Sequence, residues 1–470
     1  MKAKVFLLAV GPAVLLALPA IAEETTTPPR PAVLTLPEVL ARAETSCLDV
    51  TLLREKLVQA EASLGKAWSA VLPTIQGVGS YTRNSVASVI PFPDFRAGFG
   101  PSPNAPPDVN DLGSLRVYPM SLLNIEVQPQ DQWVGTAQAS MPLFIAPAYY
   151  AIAAARRAVD LTENSVAHAK DELFFGIAQL YYGSVATARV VELAERQLGG
   201  ASESERVARS RYQAGELARI GFLRAGVERA RAEQDLQRAK NAYATTTLAL
   251  ATLVGIDAPF SVEAPAAVVA PAGDEQKLID QALASRTDLV ASRLGTDVAD
   301  RLLMATWWKF APIIAVNGAY RWMNFSGFAG ESRTWAVTVN AIWTLYDGGL
   351  RHDEIREARS RTREADTQRQ KVERAVRQDV KASTLELESA RANLTKAQEQ
   401  NRLATEGAVL AGQLFAAGAA TYLDVVDANN AAFAAGVAAV SEELNVQVAS
   451  LKLAKAIGKL DLAREGTTDS

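Results

Sequence analysis

The stretch WSAVLPTIQGVGSY (Trp68–Tyr81) is repeated later in the chain as WWKFAPIIAVNGAY (Trp307–Tyr320). Tryptophan, proline and tyrosine fall at identical spacing in the two copies, which lie 239 positions apart. In each copy a helical pattern ends at the proline, which cannot continue a helix interior. Apolar residues then alternate with small or polar ones, as in a β-strand. The chain therefore contains the same helix-to-strand junction twice.

Two further matches follow each junction. Thr136–Phe144 is similar to Thr338–Tyr346 at an offset of 202, and the YQAG sequence ending at Gly215 is similar to the FAAG sequence ending at Gly418 at an offset of 203. Each half is therefore predicted to run helix, strand pair, long helix, turn, long helix. A repeat of this size indicates an architecture made from stacked or ring-arranged copies.

Composition excludes several classes of protein. The 470 residues carry a net charge of −4, so the chain lacks the excess of basic residues that is typical of nucleic-acid-binding proteins. Cys47 is the single cysteine, so no intrachain disulfide can form. The two histidines, His168 and His352, lie far apart without further ligands nearby, so neither a metal site nor a cofactor is predicted. No nucleophile–base set or phosphate loop is found, so no catalytic residues are predicted and an enzyme is not expected.

The N-terminus has the three parts of a secretory signal peptide, predicted over residues 1–22. A lysine-containing start precedes an apolar core over Val5–Leu18 and an Ala-x-Ala cleavage site at Ala20–Ala22. The mature chain is expected to begin at Glu23, and residues 23–35 are predicted to form a flexible lead. No other stretch of eighteen unbroken apolar residues is present, so an exported protein without a spanning helix is predicted.

The two repeats are predicted to be separated by a linker and followed by a tail. The predicted segments are the first repeat over 36–257, a Pro-rich linker over 258–273, the second repeat over 274–460 and a polar tail over 461–470. The predicted strands lie at about 74–84 and 132–145 in the first repeat and at about 313–324 and 334–346 in the second. The loop between the first two strands, 84–131, is rich in Pro and Gly and carries 37 residues more than its counterpart.

The alternation in the predicted strands has two interpretations. A half-buried antiparallel sheet has one apolar and one polar face. A membrane-barrel strand shows the same alternation, with aromatic residues where the strand meets each side of the membrane. Trp335 and Trp343 at the two ends of one apolar face, together with the export signal, favour the barrel.

Helical runs follow each strand pair. They extend over about fifty residues, 147–198 and 349–402, which corresponds to roughly 75 Å of helix. In the segment after the first run, mostly apolar positions step alternately by four and three from Ala225 to Leu253, with Arg229 and Thr246 among them, which is coiled-coil spacing.

Four motifs carry a resemblance to the outer membrane efflux protein family, the TolC-type channels. They are ALASRTDL (Ala282–Leu289), LYDGG (Leu345–Gly349), FAAGAATYLDVVDA (Phe415–Ala428) and RYQAG (Arg211–Gly215), and the resemblance covers about residues 36 to 460.

The resemblance implies a mainly α protein with a transmembrane β-barrel. Three chains, each giving four strands, would close a twelve-stranded barrel in the outer membrane, continued by a long periplasmic α-helical coiled-coil barrel. The implied function is the outer-membrane channel of a tripartite efflux or type I secretion system, which conducts substrates passively. The implied partners are a periplasmic adaptor protein, an inner-membrane transporter and outer-membrane lipid, in addition to the homotrimer.

The resemblance also suggests site residues. Asp424 and Asp427 would form a periplasmic gate of carboxylate rings; the alternative is that both are solvated helix charges or partners of the helix dipole. Gly215 and Gly418 would mark helix turns where the adaptor docks. The aromatic girdle of the barrel would comprise Tyr81, Trp133, Tyr320, Trp335 and Trp343. Both repeats depart from the family pattern. In the first repeat, Gly221 stands where a gate aspartate is expected. In the second repeat, Ala420 stands where some members have a basic gate residue.

A second function class remains open from the sequence. A periplasmic coiled-coil scaffold or adhesin-like stalk without a pore would have the same long helices. It would not require detergent for extraction and would not conduct ions. The sequence does not identify the cargo, because specificity in such systems resides largely in the pump.

Overall fold

The computed structural model describes residues 32–93, 122–257, 260–265, 268–271, 273–326 and 331–460. The predicted signal peptide, most of the predicted lead and the predicted polar tail lie outside these residues, as does the centre of the long loop. The helices are α1 (Leu36–Ser46), α2 (Leu48–Ser69), α3 (Ala146–Gln213), α4 (Arg219–Val254), α5 (Glu275–Ser285), α6 (Thr287–Trp307), α7 (Leu350–Ala416) and α8 (Tyr422–Ala456). The strands are β1 (Ala32–Leu34), β2 (Thr74–Arg83), β3 (Ser88–Pro93), β4 (Leu122–Gln128), β5 (Asp131–Phe144), β6 (Phe260–Val262), β7 (Ile313–Met323) and β8 (Arg333–Ile342).

Two helices give the molecule its length. α3 has 68 residues and α7 has 67, so each extends for about 100 Å. The predicted runs of about fifty residues were therefore too short. Gly199 and Gly200 follow the predicted end of the first run, and both lie inside α3. Packing of α3 along α4 supplies stability that outweighs the weak helix propensity of glycine.

The helix preceding each strand pair is broken once, which the sequence did not predict. The first breaks at Cys47, where φ is −69° and ψ is 126°. The second breaks at the corresponding Arg286, where φ is −66° and ψ is 124°. Neither break contains proline or glycine, so tertiary contacts must stabilise the extended backbone at these positions.

The predicted lead and linker are partly ordered against each other. β1 pairs in parallel with β6, with Ala32 opposite Phe260. Tyr181, fully buried on α3, places its hydroxyl 2.9 Å from the carbonyl oxygen of Leu34 and 2.7 Å from that of Glu263. The prediction of a fully flexible lead is therefore wrong for residues 32–34, and the linker contains a strand.

The hydrophobic core lies around these strands. One cluster joins α1, β1, β6, the middle of α3 and the end of α4, and includes Leu40, Ile177 and Leu250. A second cluster joins α5, the middle of α7 and the end of α8, and includes Ile279 and Val380. We call the region of these two clusters the waist.

One sheet has the strand order β2-β5-β7-β8, and all its neighbouring strands are antiparallel. Among the described residues, no strand pairs with the outer edge of β2 or of β8. β8 ends at Ile342, earlier than predicted, and the chain turns into α7 through Gly348 and Gly349, whose φ angles are +70° and +95°. The predicted long loop is not wholly irregular, because β3 and β4 form a separate hairpin within it.

α8 is long and apolar enough to cross a membrane, by length and composition alone. It packs along α7 and α3, however, and contributes Leu451 and Leu453 to the waist. Its place in the fold is therefore with the long helices.

The two repeats make the same contact at the waist. Gly255 ends α4 against Ser46, and Gly458 follows α8 against Ser285. Both glycines have positive φ, +76° and +70°. A Cβ at Gly458 would lie 2.8 Å from the Ser285 Oγ and 3.2 Å from the Arg286 backbone nitrogen.

Gly458→Ala is therefore expected to destabilise the protein more than Gly418→Ala. Gly418 has a similar φ of +76°, but a Cβ there would meet no described atom within 4 Å. Gly418→Ala should cost about 1–2 kcal/mol from the left-handed backbone alone. Gly458→Ala should cost at least about 1 kcal/mol more because of overpacking. Urea unfolding midpoints would measure both, and equal midpoints would contradict the proposed crowding.

Candidate channel wall, gate and helix turns

Aromatic side chains lie together on one face of the sheet, at the end away from the helices. Tyr81 pairs in register with Trp133, and Tyr320 pairs with Trp335. The Tyr81 and Trp133 ring centroids lie 5.0 Å apart, and Trp322 tilts against Tyr320 at 6.1 Å. All are exposed in the protomer, Trp335 by 75%. The four predicted girdle residues near this end of the sheet are thus brought together.

Trp343 lies at the opposite end of the sheet. Its indole nitrogen donates a hydrogen bond of 3.0 Å to the carbonyl oxygen of Phe310, beside the start of the helices. It is separated from Trp335 by eight residues, which is about 26 Å along a strand. Val337 and Val339 lie between them and are exposed on the same face as Trp335. The length of this apolar face matches the roughly 25 Å apolar band of an outer-membrane barrel.

The other face of the sheet is mostly polar. Thr136, Gln138 and Ser140 of β5 lie beside Arg321, Ala319 and Asn317 of β7. The Ser140 hydroxyl donates to the Asn317 amide oxygen at 2.7 Å. A sheet with one polar and one uncovered apolar face suits a barrel that has water inside and lipid outside.

The turns at Gly215 and Gly418 have the same geometry. Gly215 donates its backbone N–H to Tyr212, and Gly418 donates its backbone N–H to Phe415, both at 3.1 Å. The φ angles of the two glycines are +78° and +76°, a conformation that favours glycine. The two turns are neighbours, because the Arg211 guanidinium lies 4.8 Å from the centroid of the Phe415 ring.

Asp424 and Asp427 lie in the first turns of α8 and are both exposed. The Asp424 carboxylate accepts hydrogen bonds of 2.7 Å from both the hydroxyl and the backbone N–H of Thr421. The Asp424 N–H donates in return to the Thr421 hydroxyl, which completes a capping box. Among the described residues, no hydrogen bond or ion pair is found for the Asp427 side chain.

The capping box changes the electrostatics expected at Asp424. The hydrogen bonds from the Thr421 hydroxyl and backbone lower the pKa of the Asp424 carboxyl below its ordinary value. This direction is opposite to the one that repulsion between carboxylates ringing a lumen would give. The sequence Thr-x-x-Asp at 421–424 was the signal that could have identified the cap.

Gly221 occupies the position in α4 that Asp424 occupies in α8. A Cβ there would lie 2.9 Å from a side-chain methyl group of Leu217. The preceding turn thus packs into the space that a larger residue would need, and the first repeat lacks both the carboxylate and the cap.

The helix break at Arg286 contains an ion cluster that sequence reasoning missed. The guanidinium contacts both carboxylate oxygens of Asp288, at 3.0 and 2.7 Å, and one oxygen of Asp379 on α7, at 3.0 Å. The Arg286 side chain is only 12% exposed and that of Asp288 20%. Burial raises the pKa of Asp288, but the hydrogen bonds and charge of Arg286 outweigh burial, so the net pKa lies below the ordinary value.

The described residues contain no group of three or more His, Cys, Asp or Glu side chains that could hold a metal ion. The candidate site thus consists of the four-stranded sheet, the helix turns at Gly215 and Gly418, and the two exposed carboxylates of Asp424 and Asp427.

These features define a class of protein. Its protomers contribute strands to a membrane barrel, and their helices continue that barrel as a tube. The chain belongs to the outer membrane efflux protein family, whose pattern matches residues 42–256 and 278–459. The predicted family, mainly α fold class and outer-membrane location are thereby confirmed.

Individual relatives agree with this assignment. The outer membrane efflux protein BepC of Brucella suis biovar 1 (strain 1330) is 26% identical over 268 residues, which is 56% of this chain and 58% of that relative. The match thus spans little more than half of the curated relative.

The fold is shared with solved structures, among them two outer membrane channels. The CmeC outer membrane channel of Campylobacter jejuni has a TM-score of 0.72 at 17% identity, covering 90% of this chain and 86% of that one. The open state of the Neisseria gonorrhoeae MtrE outer membrane channel has a TM-score of 0.67 at 19% identity, covering 90% and 89%.

Proposed function

We propose that this chain is the outer-membrane channel of a tripartite efflux or type I secretion system. The observation that carries the proposal is the four-stranded sheet, which has an uncovered apolar face bounded by aromatic residues. Long helices leave one end of this sheet and provide a body about 100 Å long. Substrate would pass through without chemical change, so the protein acts as a duct rather than an enzyme.

Trimer formation follows from the two sheet edges. β2 and β8 would each expose unpaired backbone groups to lipid in a lone protomer, at a cost of several kcal/mol per group. Pairing β8 of one protomer with β2 of the next removes both edges and, repeated three times, closes twelve strands into a barrel. The proposed partners are two further copies of this chain, outer-membrane lipid, a periplasmic adaptor protein and an inner-membrane transporter.

The proposed residue roles follow the same placement. The girdle residues Tyr81, Trp133, Tyr320, Trp335 and Trp343 would lie at the two membrane interfaces. The turns at Gly215 and Gly418 would present the adjacent helix tips to the adaptor. Asp424 and Asp427 would line the periplasmic gate, with Asp427 the carboxylate that no cap engages.

The deciding experiment combines mass and conductance of the detergent-purified protein. Light scattering with detergent correction is expected to give three chains, and planar bilayers are expected to show discrete ion-conducting steps. A well-folded monomer would refute the barrel. Extraction without detergent and absence of conductance would instead support the periplasmic scaffold or adhesin-like stalk.

Shortening the loop between Arg83 and Asp131 to the length of its second-repeat counterpart is expected to leave the trimer intact. Among the described strands, β3 and β4 pair only with each other, whereas the β2–β5 ladder already ends at Arg83 and Asp131. Trimer mass and heat stability on denaturing gels would be compared with wild type. A control deletion that also removes ladder residues 80–83 and 131–134 should abolish insertion. Loss of trimers after the loop deletion alone would show that the loop contributes to the barrel.

A further inference from the structure

The four strands of the sheet contain only four charged residues: Arg83, Asp131, Arg321 and Arg333. Their faces follow from the register. Arg83 and Asp131 extend the row of Tyr81 and Trp133 on the apolar face, where the Tyr81 hydroxyl donates to Asp131 at 2.7 Å. An ion pair of 3.6 Å joins Arg83 to Asp131.

Arg333 also belongs to the apolar face. It pairs in register with Trp322, which tilts against Tyr320 on that face. Arg321, one residue from Trp322 along the strand, must lie on the opposite, polar face, because successive side chains alternate. Arg321 is therefore the single charged residue that the four strands place on the polar face.

The neighbours of Arg321 are neutral. It pairs with Thr136 on β5 and with Thr334 on β8. Within the described residues, no ion pair or hydrogen bond is found for its guanidinium. The carboxylate of the adjoining strands, Asp131, is engaged on the other face by Tyr81 and Arg83. The positive charge of Arg321 thus has no partner in the described part of the sheet.

Arg321 lies two residues before the end of β7, at the end of the sheet away from the helices. We propose that, in the trimer of the proposed function, three copies of Arg321 form a cationic ring at the outer mouth of the barrel, which binds polyvalent anions. Charge rings of one sign select ions of the other sign.

The dimensions of such a barrel suit this role. Twelve strands spaced about 4.8 Å apart and tilted by about 40° close into a backbone circle of roughly 12 Å radius. Side chains reaching roughly 6–7 Å inward bring the three guanidinium groups to within roughly 10 Å of one another, close to the ~8 Å Debye length at physiological salt. One polyvalent anion on the axis would interact with all three. Guanidinium is suited to carboxylate and phosphate oxygens because its donors match their geometry.

The ring predicts block by citrate in planar bilayers at pH 7.5. Citrate added on the barrel side should reduce the current, and Arg321→Gln should raise the half-blocking concentration at least tenfold. Arg321→Lys keeps the charge and should retain most of the block. Arg333→Gln is the matched control, since it removes an arginine at the same height on the other face, and should leave the block unchanged. Arg321→Gln should also shift the reversal potential in a KCl gradient toward cation selectivity.

The outcomes separate this inference from the function on which it rests. Absence of a trimeric pore would overturn both. A pore that citrate does not block, or that it blocks equally in wild type and Arg321→Gln, would overturn only the ring. A loss of block in Arg333→Gln as large as that in Arg321→Gln would also overturn it, because the faces of β7 and β8 would then be misassigned.

Discussion

Arg286→Ala is expected to destabilise the protein by about 3–5 kcal/mol, the usual cost of removing one partner of a buried ion pair. Asp288 would remain largely buried beside Asp379 without the guanidinium that pairs with both carboxylates. The break between α5 and α6 would also lose the ion pair that joins it to Asp379 on α7. The urea midpoint of the detergent-purified trimer measures the effect.

Arg361→Ala is the matched control for this substitution. Arg361 pairs with Glu357 one turn away on the surface of α7, and both side chains are well exposed. Its loss should cost only about 0.3–0.5 kcal/mol. If Arg286→Ala shifted the midpoint no further than Arg361→Ala, the cluster at the break would be of no structural consequence.

The Arg286 effect should also depend on pH. Because the folded-state pKa of Asp288 is lowered, the paired carboxylate contributes stability above its unfolded pKa, which is about 3.9. This contribution is lost as the pH falls through the folded value. The difference in stability between wild type and Arg286→Ala should therefore be largest near neutral pH and shrink on acidification, as Asp288 is protonated first in the variant and then in wild type. A difference that grew on acidification would contradict the assignment.

The double variant Asp424→Asn, Asp427→Asn is expected to weaken block of the ion current by a multivalent cation added on the periplasmic side. The half-blocking concentration should rise at least about tenfold, which corresponds to ~1.4 kcal/mol. Carboxylates ringing a narrow lumen repel one another, and a bound cation relieves the repulsion. Planar-bilayer titration with hexamminecobalt(III) measures the half-blocking concentration. Glu55→Gln, an exposed carboxylate on α2, should leave the block unchanged.

The single variants separate gating from capping. Asp424 is held by Thr421, so part of its effect in Asp424→Asn would come from the start of α8. Asp427→Asn leaves the capping box intact and should account for most of the change. Unaltered block in the double variant would place both aspartates outside the lumen, and trimer mass should be unchanged in every variant.

Local chemistry made much of the fold predictable. The repeated proline at positions 73 and 312 lies at each helix-to-strand junction, and the glycines at 215 and 418 have the positive φ that their turns require. The period-2 alternation from 133 onward identified the strand that returns to the helices. These signals are contained within a few residues, so the sequence alone reveals them.

The missed features depend on distant partners. Arg286 is held in an extended conformation by Asp379, 93 positions away, and nothing within the surrounding RTD sequence indicates a break. The site was predictable to a similar extent. The turns and the aromatic face could be located, but the contacts of Asp424 and the unpaired charge of Arg321 required the register and hydrogen bonds.

The parallel pairing of β1 with β6 has a consequence for the order in which the chain can fold. Ala32–Leu34 is synthesised early, yet its partner Phe260–Val262 follows only after the whole of the first repeat. The Tyr181 hydroxyl lies against carbonyl oxygens 147 positions before it and 82 after it, so this contact is complete only when both segments have arrived. Closing contacts of such separation is slow, because loop entropy must be lost before the contacts form. The sequence duplication therefore does not produce two independent folding units, and a nascent first repeat would expose Leu34 and Leu40 to aggregation until the linker reached them.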